Sequence, residues 1–150
     1  MDGGLLQVEG EAGLTMEFKD NEAIYLQIAA FVCDNILTGK WVTGQKILSV
    51  RDLAVELEVN PNTVMRSYEF LQAQGIVYNK RGLGLFVADD GFEKVKAYRK
   101  QSFVKQNLPD FFKNIYLLDI PMDEINRQYE AFKADQAQVK LNSEQHEDKH

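Results

Sequence analysis

From Ala23 onward apolar residues recur at three- and four-residue steps: Ile24, Ile28, Phe31, Val32 and Ile36, with Gly39 just beyond. That spacing gathers side chains on one helical face and the glycine marks a stop, so a helix of roughly four turns is expected. A second helix is announced by local chemistry. Ser49 can accept from the backbone N–H of Asp52, Asp52 can reach back, and Leu48 and Leu53 flank the start as a hydrophobic staple. The helix expected from Val50 carries Leu53, Ala54 and Leu57 on one face and stops near Glu58. Asn60-Pro61 starts another, because asparagine is a favoured N-cap and proline at the first helical position gives up only an N–H that has no partner. Val64, Tyr68 and Leu71, with Phe70 beside them, form its inward face until Gly75 ends it.

Two short helices about a tight turn make a helix-turn-helix. Ile76-Val77-Tyr78 and Leu85-Phe86-Val87 are strand-like triplets around Asn79-Lys80-Arg81-Gly82-Leu83-Gly84, so a hairpin with a basic, glycine-bearing tip follows. The expected fold is mainly α: a winged helix-turn-helix domain over residues 16–88, then a short C-terminal helical tail. Residues 1–15, with four glycines and no periodic face, are expected to be a disordered leader.

The tail, residues 89–140, reads as helix from Phe92 to about Gln106, a break at Leu108-Pro109, an aromatic-rich segment of Phe111, Phe112, Ile115, Tyr116 and Leu118, and a last helix starting at Pro121. In that helix Met122, Ile125, Tyr129, Phe132, Gln136 and Val139 fall at alternating steps of three and four, as in the seam of a coiled coil. The stripe either packs on its own domain or makes a dimer contact, and so short a repeat does not decide between them. Residues 141–150 are polar and expected to fray.

Composition narrows the picture. At 150 residues, 45% hydrophobic and 11% aromatic, the chain suits one domain or a small domain with an appendage and excludes a large multidomain enzyme. No apolar run approaches the roughly 18–20 residues that span a bilayer, so no membrane partner is expected. The single Cys33 cannot close an intramolecular disulfide and no secretory signal opens the chain, which points to the cytoplasm. Cys33 reads as core filler in preference to a reactive thiol.

The net charge of −6 counts against nucleic acid until the chain is divided. Residues 1–39 carry −6 and residues 89–150 carry −2, whereas residues 40–88 carry +2. The only basic segment is the helix-turn-helix. Arg51 starts its first helix, Arg66 lies in its second, and Lys80 and Arg81 occupy the wing tip; these places approach DNA when the second helix enters the major groove. At the start of the second helix, exposed N–H groups favour a phosphate. There Asn60 caps, while Asn62 and Thr63 can bond phosphate oxygens or base edges. Arg66 can reach guanine or a phosphate. Each residue alone has an ordinary structural explanation, but their joint placement points to DNA.

No catalytic set competes: no histidine precedes His146, and Ser49, Ser67 and Ser102 have no evident base. Enzyme activity is therefore not expected. His146 and His150 suggest no metal site. Gly82-Leu83-Gly84 is followed by a strand, not the helix a dinucleotide fingerprint needs, so no cofactor is implied. The alternative to DNA binding is a winged helix that binds only protein, since fold does not dictate ligand.

Tyr25-Leu26-Gln27-Ile28, the run from Gly39 to Ala54 containing Ser49-Val50-Arg51, then Val59-Asn60-Pro61-Asn62-Thr63-Val64, Leu71-Gln72-Ala73-Gln74-Gly75-Ile76-Val77, and Arg81-Gly82-Leu83-Gly84-Leu85-Phe86-Val87 occur in this order along the chain. In these motifs the chain resembles the GntR family of bacterial transcription regulators. The Ser-Val-Arg and Asn-Pro-Asn-Thr-Val forms with a short helical tail are similar to the YtrA-like subfamily. Leu48 departs from the family's usual proline, and Leu83 and Leu85 make the wing tip more apolar than is common. The resemblance implies a homodimeric repressor on an inverted-repeat operator of double-stranded DNA. It implies that Arg51, Asn60, Asn62, Thr63, Arg66 and the Arg81-Gly82 tip contact DNA, and that the tail dimerises the chain. Too few residues follow the wing for a large ligand-binding domain. A small-molecule effector is left open: Phe111, Phe112, Tyr116 and Phe132 either line a pocket or pack as core or interface, and helical spacing favours the second.

Overall fold

The computed structural model describes residues 6–9, 15–19 and 22–148. Its elements are β1 (Leu6–Glu9), β2 (Thr15–Phe18), α1 (Ile24–Leu37), α2 (Val50–Leu57), α3 (Pro61–Ala73), β3 (Val77–Lys80), β4 (Gly84–Val87), α4 (Gly91–Gln106), α5 (Leu108–Leu117) and α6 (Met122–Glu147). They fall into two compact units, Met1–Gln101 and Ser102–His150.

In the first unit, Ile28, Val32 and Ile36 of α1 meet Leu53 and Leu57 of α2 and Val64, Tyr68 and Leu71 of α3 in one buried core. Ile24 belongs to the same sequence period but begins the helix and stays 47% exposed. β3 and β4 pair antiparallel with Val77 opposite Val87, both buried, and Val87 also exchanges backbone bonds with the segment before α2. There Gly44 N donates to Val87 O and Val87 N to Gln45 O, each at 2.9 Å, so the wing is stitched to the helical core along one edge.

The winged unit extends past Ala88, where the sequence suggested a boundary. Val95 of α4 is buried, Tyr98 meets the edge of Phe70 at 5.6 Å, and Arg99 Nη2 donates to the Ala30 carbonyl and the Asp34 carboxylate of α1. Gly91 allows α4 to start close against the wing: a Cβ there would lie 2.9 Å from the Ile76 carbonyl oxygen.

The leader corrects another expectation. Leu6–Glu9, expected to be disordered, pairs antiparallel with Thr15–Phe18 in the register Leu6 opposite Phe18 and Val8 opposite Met16. Met16 and Phe18 enter the core from β2, so its alternation buries apolar surface that helical periodicity does not reveal. The rest of that leader, residues 1–5 and 10–14, lies outside the described residues. Gln27 secures the chain entering α1. Its amide nitrogen donates to the Lys19 and Glu22 carbonyls, both at 2.7 Å, and its oxygen accepts from Lys19 N at 2.6 Å. Cys33 is fully buried as core filler, and burial pushes its thiol up to about 11 against the opposing Arg99 charge.

In the second unit, α5 and α6 are joined by a tight turn with Asp119 in the left-handed region and Ile120 N bonded to Ile115 O. The aromatic segment is thus a helix. The last helix, expected to fray from Leu141, continues to Glu147; its Leu-Asn-Ser-Glu-Gln-His-Glu end contains no glycine or proline to stop it. Residues 149–150 lie outside the described residues.

Candidate nucleic-acid interface

α2 and α3 begin as their caps dictate. Ser49 Oγ accepts from Asp52 N at 3.1 Å and Asn60 Oδ1 accepts from Asn62 N at 2.8 Å, with Pro61 in the first turn of α3. The Asp52 carboxylate does not return a bond to Ser49, so only half of the expected capping box forms. Between the helices Glu58 takes a left-handed conformation with φ 53°, a tight turn made without glycine.

The orientation of α3 is fixed from its inner side by two hydroxyls. Tyr68 Oη donates to the Leu48 carbonyl at 2.7 Å, and Ser67 Oγ donates to the Tyr25 carbonyl at 2.6 Å. Ser67 is fully buried, a helix contact that an apolar pattern passes over. With Val64, Ser67, Tyr68 and Leu71 turned inward, Asn62, Met65, Arg66 and Glu69 face out. Asn62 and Arg66 stand one turn apart on that outer face, and Thr63 is half-buried beside them. Met65, unremarked in the sequence, is 47% exposed there and brings an apolar group suited to a thymine methyl. Arg51 is exposed in the first turn of α2.

Arg66 is held in a definite place. Its guanidinium carbon lies 3.9 Å from the centroid of the Tyr25 ring, while no carboxylate pairs with it among the described residues.

The wing gathers its own cations. Tyr78 and Phe86 stack across the strands at 5.9 Å, and Lys80 Nζ lies over them, 4.6 Å from the Phe86 centroid and 5.6 Å from that of Tyr78. Gly82 turns the tip with φ +78°, open space around it, while Arg81 and Leu83 are exposed. Lys46, counted in the basic segment but not singled out, bridges to Phe86 through its backbone and lays its side chain along Gly84. A Cβ at Gly84 would come within 3.0 Å of Lys46 Cε. The bridge across the sheet edge brings Lys46 to the wing, a placement with no local sequence signature.

The structure thus places Arg51, Asn60, Asn62, Thr63 and Arg66 on the helix-turn-helix and Lys80, Arg81 and Gly82 on the wing, all in the first unit. Met122, Ile125, Tyr129 and Phe132 lie on α6 in the second. Three of these four are exposed and Ile125 is half-buried. No helix among the described residues is long and apolar enough to cross a membrane.

Comparison with known proteins agrees with this arrangement. The family model for bacterial regulatory proteins of the gntR family matches residues 24–87, from the start of α1 to the end of the wing. The uncharacterized HTH-type transcriptional regulator YhcF of Bacillus subtilis is 31% identical over 109 residues, spanning 73% of this chain and 88% of its own. The HTH-type transcriptional repressor YtrA of the same organism is 26% identical over 117 residues, 78% of this chain and 89% of its own. A solved structure from Bacteroides thetaiotaomicron, ascribed to GntR-family transcriptional regulators, shares 46% identity at a TM-score of 0.66 and covers 76% of this chain and 99% of that one. With the winged helix-turn-helix in place and a relative matched over most of its length, this chain belongs to the GntR family of DNA-binding transcription regulators.

Proposed function

We propose that the chain is a repressor that binds an inverted-repeat operator as a homodimer. α3 would enter the major groove with Asn62 and Arg66 toward base edges. Asn60 and Thr63 at its start, with Arg51 of α2, would meet phosphates, while Lys80, Arg81 and Gly82 follow the backbone along the wing. The observation that carries this reading is the outer face of α3, where an arginine with no acidic partner among the described residues stands one turn beyond Asn62. The name of the related YtrA, a transcriptional repressor, supports repression over activation.

Dimerisation is assigned to the second unit. Met122, Tyr129 and Phe132 are 48%, 57% and 58% exposed, an apolar stripe on α6 that a second copy can cover, with Ile125 within it. The exposure of Phe111, Phe112 and Tyr116 supports an interface over an effector pocket. Two half-sites would then lie about one helical turn, roughly 34 Å, apart. A buried free thiol fits work in the reducing cytoplasm.

Recovery of genomic fragments on the full chain, followed by sequencing, tests the function: enrichment of a palindromic site with salt-dependent affinity is expected. Absence of duplex binding at any salt concentration would move the reading to a protein-binding winged helix. For assembly, sedimentation of the chain ended after Gln101 should give a monomer where the full chain gives a dimer. A dimer that persists would place the contact in the winged unit.

A further inference from the structure

We propose that Tyr25 is a positioning residue for DNA recognition: its ring is the platform on which Arg66 is held ready for the operator. The proposal rests on the reading that Arg66 contacts DNA. Tyr25 is the second residue of α1, outside the helix-turn-helix, and nothing in its spacing distinguishes it from a half-buried helix aromatic. Two features tie it to α3. The Ser67 hydroxyl donates to the Tyr25 backbone carbonyl at 2.6 Å, which fixes where the start of α1 meets α3. One residue earlier on α3, the Arg66 guanidinium lies over the Tyr25 ring at 3.9 Å.

A flexible arginine on an exposed helix face loses side-chain entropy when it is fixed on a base. A ring that already holds the guanidinium removes part of that loss before DNA arrives. The form of the contact matters. Contact with the ring engages the guanidinium charge without a hydrogen bond to its N–H donors, which can form the paired bonds that guanine accepts. An ion pair would occupy those same donors, and none of the ion pairs among the described residues includes Arg66. The ring contact therefore holds the guanidinium without consuming its donors.

Because the Ser67 bond reaches the backbone of residue 25, a changed side chain leaves it in place. This permits a test on the 150-residue chain with a duplex selected from a random-sequence pool. Its affinity and that of single-base variants would be measured for Tyr25→Phe, Tyr25→Leu, Tyr25→Met, Arg66→Ala and the Tyr25→Leu/Arg66→Ala double variant. Melting temperatures would confirm that each is folded. The phenylalanine variant should bind as the parent. The leucine and methionine variants should bind about two- to fivefold more weakly, the value of an exposed cation–π contact. They should also lose discrimination at the base position that Arg66→Ala blurs. In the Arg66→Ala background, Tyr25→Leu should add nothing.

A phenylalanine variant as weak as the leucine one would assign the effect to the hydroxyl and overturn the platform. So would undiminished affinity and discrimination in the leucine and methionine variants, or an equal loss with and without Arg66. An Arg66→Ala chain that binds and discriminates like the parent would instead remove the Arg66 contact itself, and the role of Tyr25 with it. The proton spectrum of the DNA-free protein gives an independent reading: Arg66 side-chain resonances should be shifted by the ring in the parent and phenylalanine variant and return to ordinary positions in the other two. Unshifted resonances in the parent would overturn the contact, whatever the binding data.

Discussion

The phenol of Tyr68 donates a 2.7 Å hydrogen bond to the backbone carbonyl of Leu48, joining the middle of α3 to the turn that precedes α2. The ring is buried in the core, so one side chain both packs the helix and ties the two halves of the recognition motif together. Burial, with the Asp52 charge as a smaller cause, drives the phenol well above its ordinary range. Tyr68→Phe keeps the packing but leaves the partly buried carbonyl without this donor. A loss of about 1–2 kcal/mol in urea unfolding is expected, with little change in the slope of the transition. In the parent, no phenolate absorbance from Tyr68 should develop before the chain unfolds in base.

Arg99 anchors α4 to α1 through one nitrogen shared between the Ala30 carbonyl at 2.8 Å and the Asp34 carboxylate at 2.7 Å. The two bonds differ in worth. Asp34 is 63% exposed, so the ion pair contributes only about 0.2–1 kcal/mol after solvent screening. The bond to the part-buried carbonyl is charge-assisted and answers one of the acceptors of α1. Arg99→Ala should therefore destabilise the winged unit more than Asp34→Ala does. High salt should shrink the Asp34→Ala effect and only the ion-pair share of the Arg99→Ala effect, leaving the share due to the Ala30 carbonyl. Denaturant titrations of both variants at two salt concentrations check the ordering.

Cys33 gives the fold a dependence on alkaline pH. Its thiol ionises at 9.0 in the ordinary state and is raised to about 11 in the fold, chiefly by burial, with Arg99 opposing and Asp34 assisting. Between those values the native state keeps a proton that the unfolded chain has lost, so stability falls as pH rises through the window and is unaffected below it. Relative to Cys33→Ala, the parent should lose denaturant resistance more steeply between pH 9 and 11. Alkylation of the thiol at neutral pH should follow the rate of opening, since the side chain is fully buried. Rapid alkylation of the folded chain would contradict the placement.

These residues show which parts of the fold are legible in the chain itself. Ser49, Asn60 and Pro61 act within one turn of their own position, and the helix starts they announce are where the structure has them. The stripe of Val64, Tyr68 and Leu71 is equally local, because three- and four-residue steps fix a face before any tertiary contact forms. What escapes is long-range. Arg99 meets its partners 65 and 69 residues away, Ser67 its partner 42 residues away, and Lys46 reaches the wing through a single bridge. β1 and β2 are hidden for the same reason, being short alternating pieces that have meaning only as a pair. The residues proposed to meet DNA stand out in the chain because caps, charge and motif spacing coincide at the helix-turn-helix. The Tyr25 ring beneath Arg66 does not, because a contact between α1 and α3 leaves no mark on either segment alone.

The two cationic elements should separate in their salt dependence and sequence preference. Arg66 lies on the outer face of α3, the face proposed to read base edges, whereas Arg81 is exposed at the wing turn beside Gly82. Arg66→Ala should cost about 1–3 kcal/mol of operator binding and relax preference at one position. Arg81→Ala should weaken operator and unrelated duplex alike and reduce the slope of log affinity against log salt by about 0.9, the release expected from one phosphate. Lys80 starts from a different state, since its ammonium already rests over Phe86 at 4.6 Å. Moving it onto a phosphate gives up part of that contact, so Lys80→Ala should lower the slope less than Arg81→Ala. Titration of both duplexes over a range of salt distinguishes the three. Loss of base preference in Arg81→Ala would mean that the wing tip enters a groove and reads sequence instead of following the backbone.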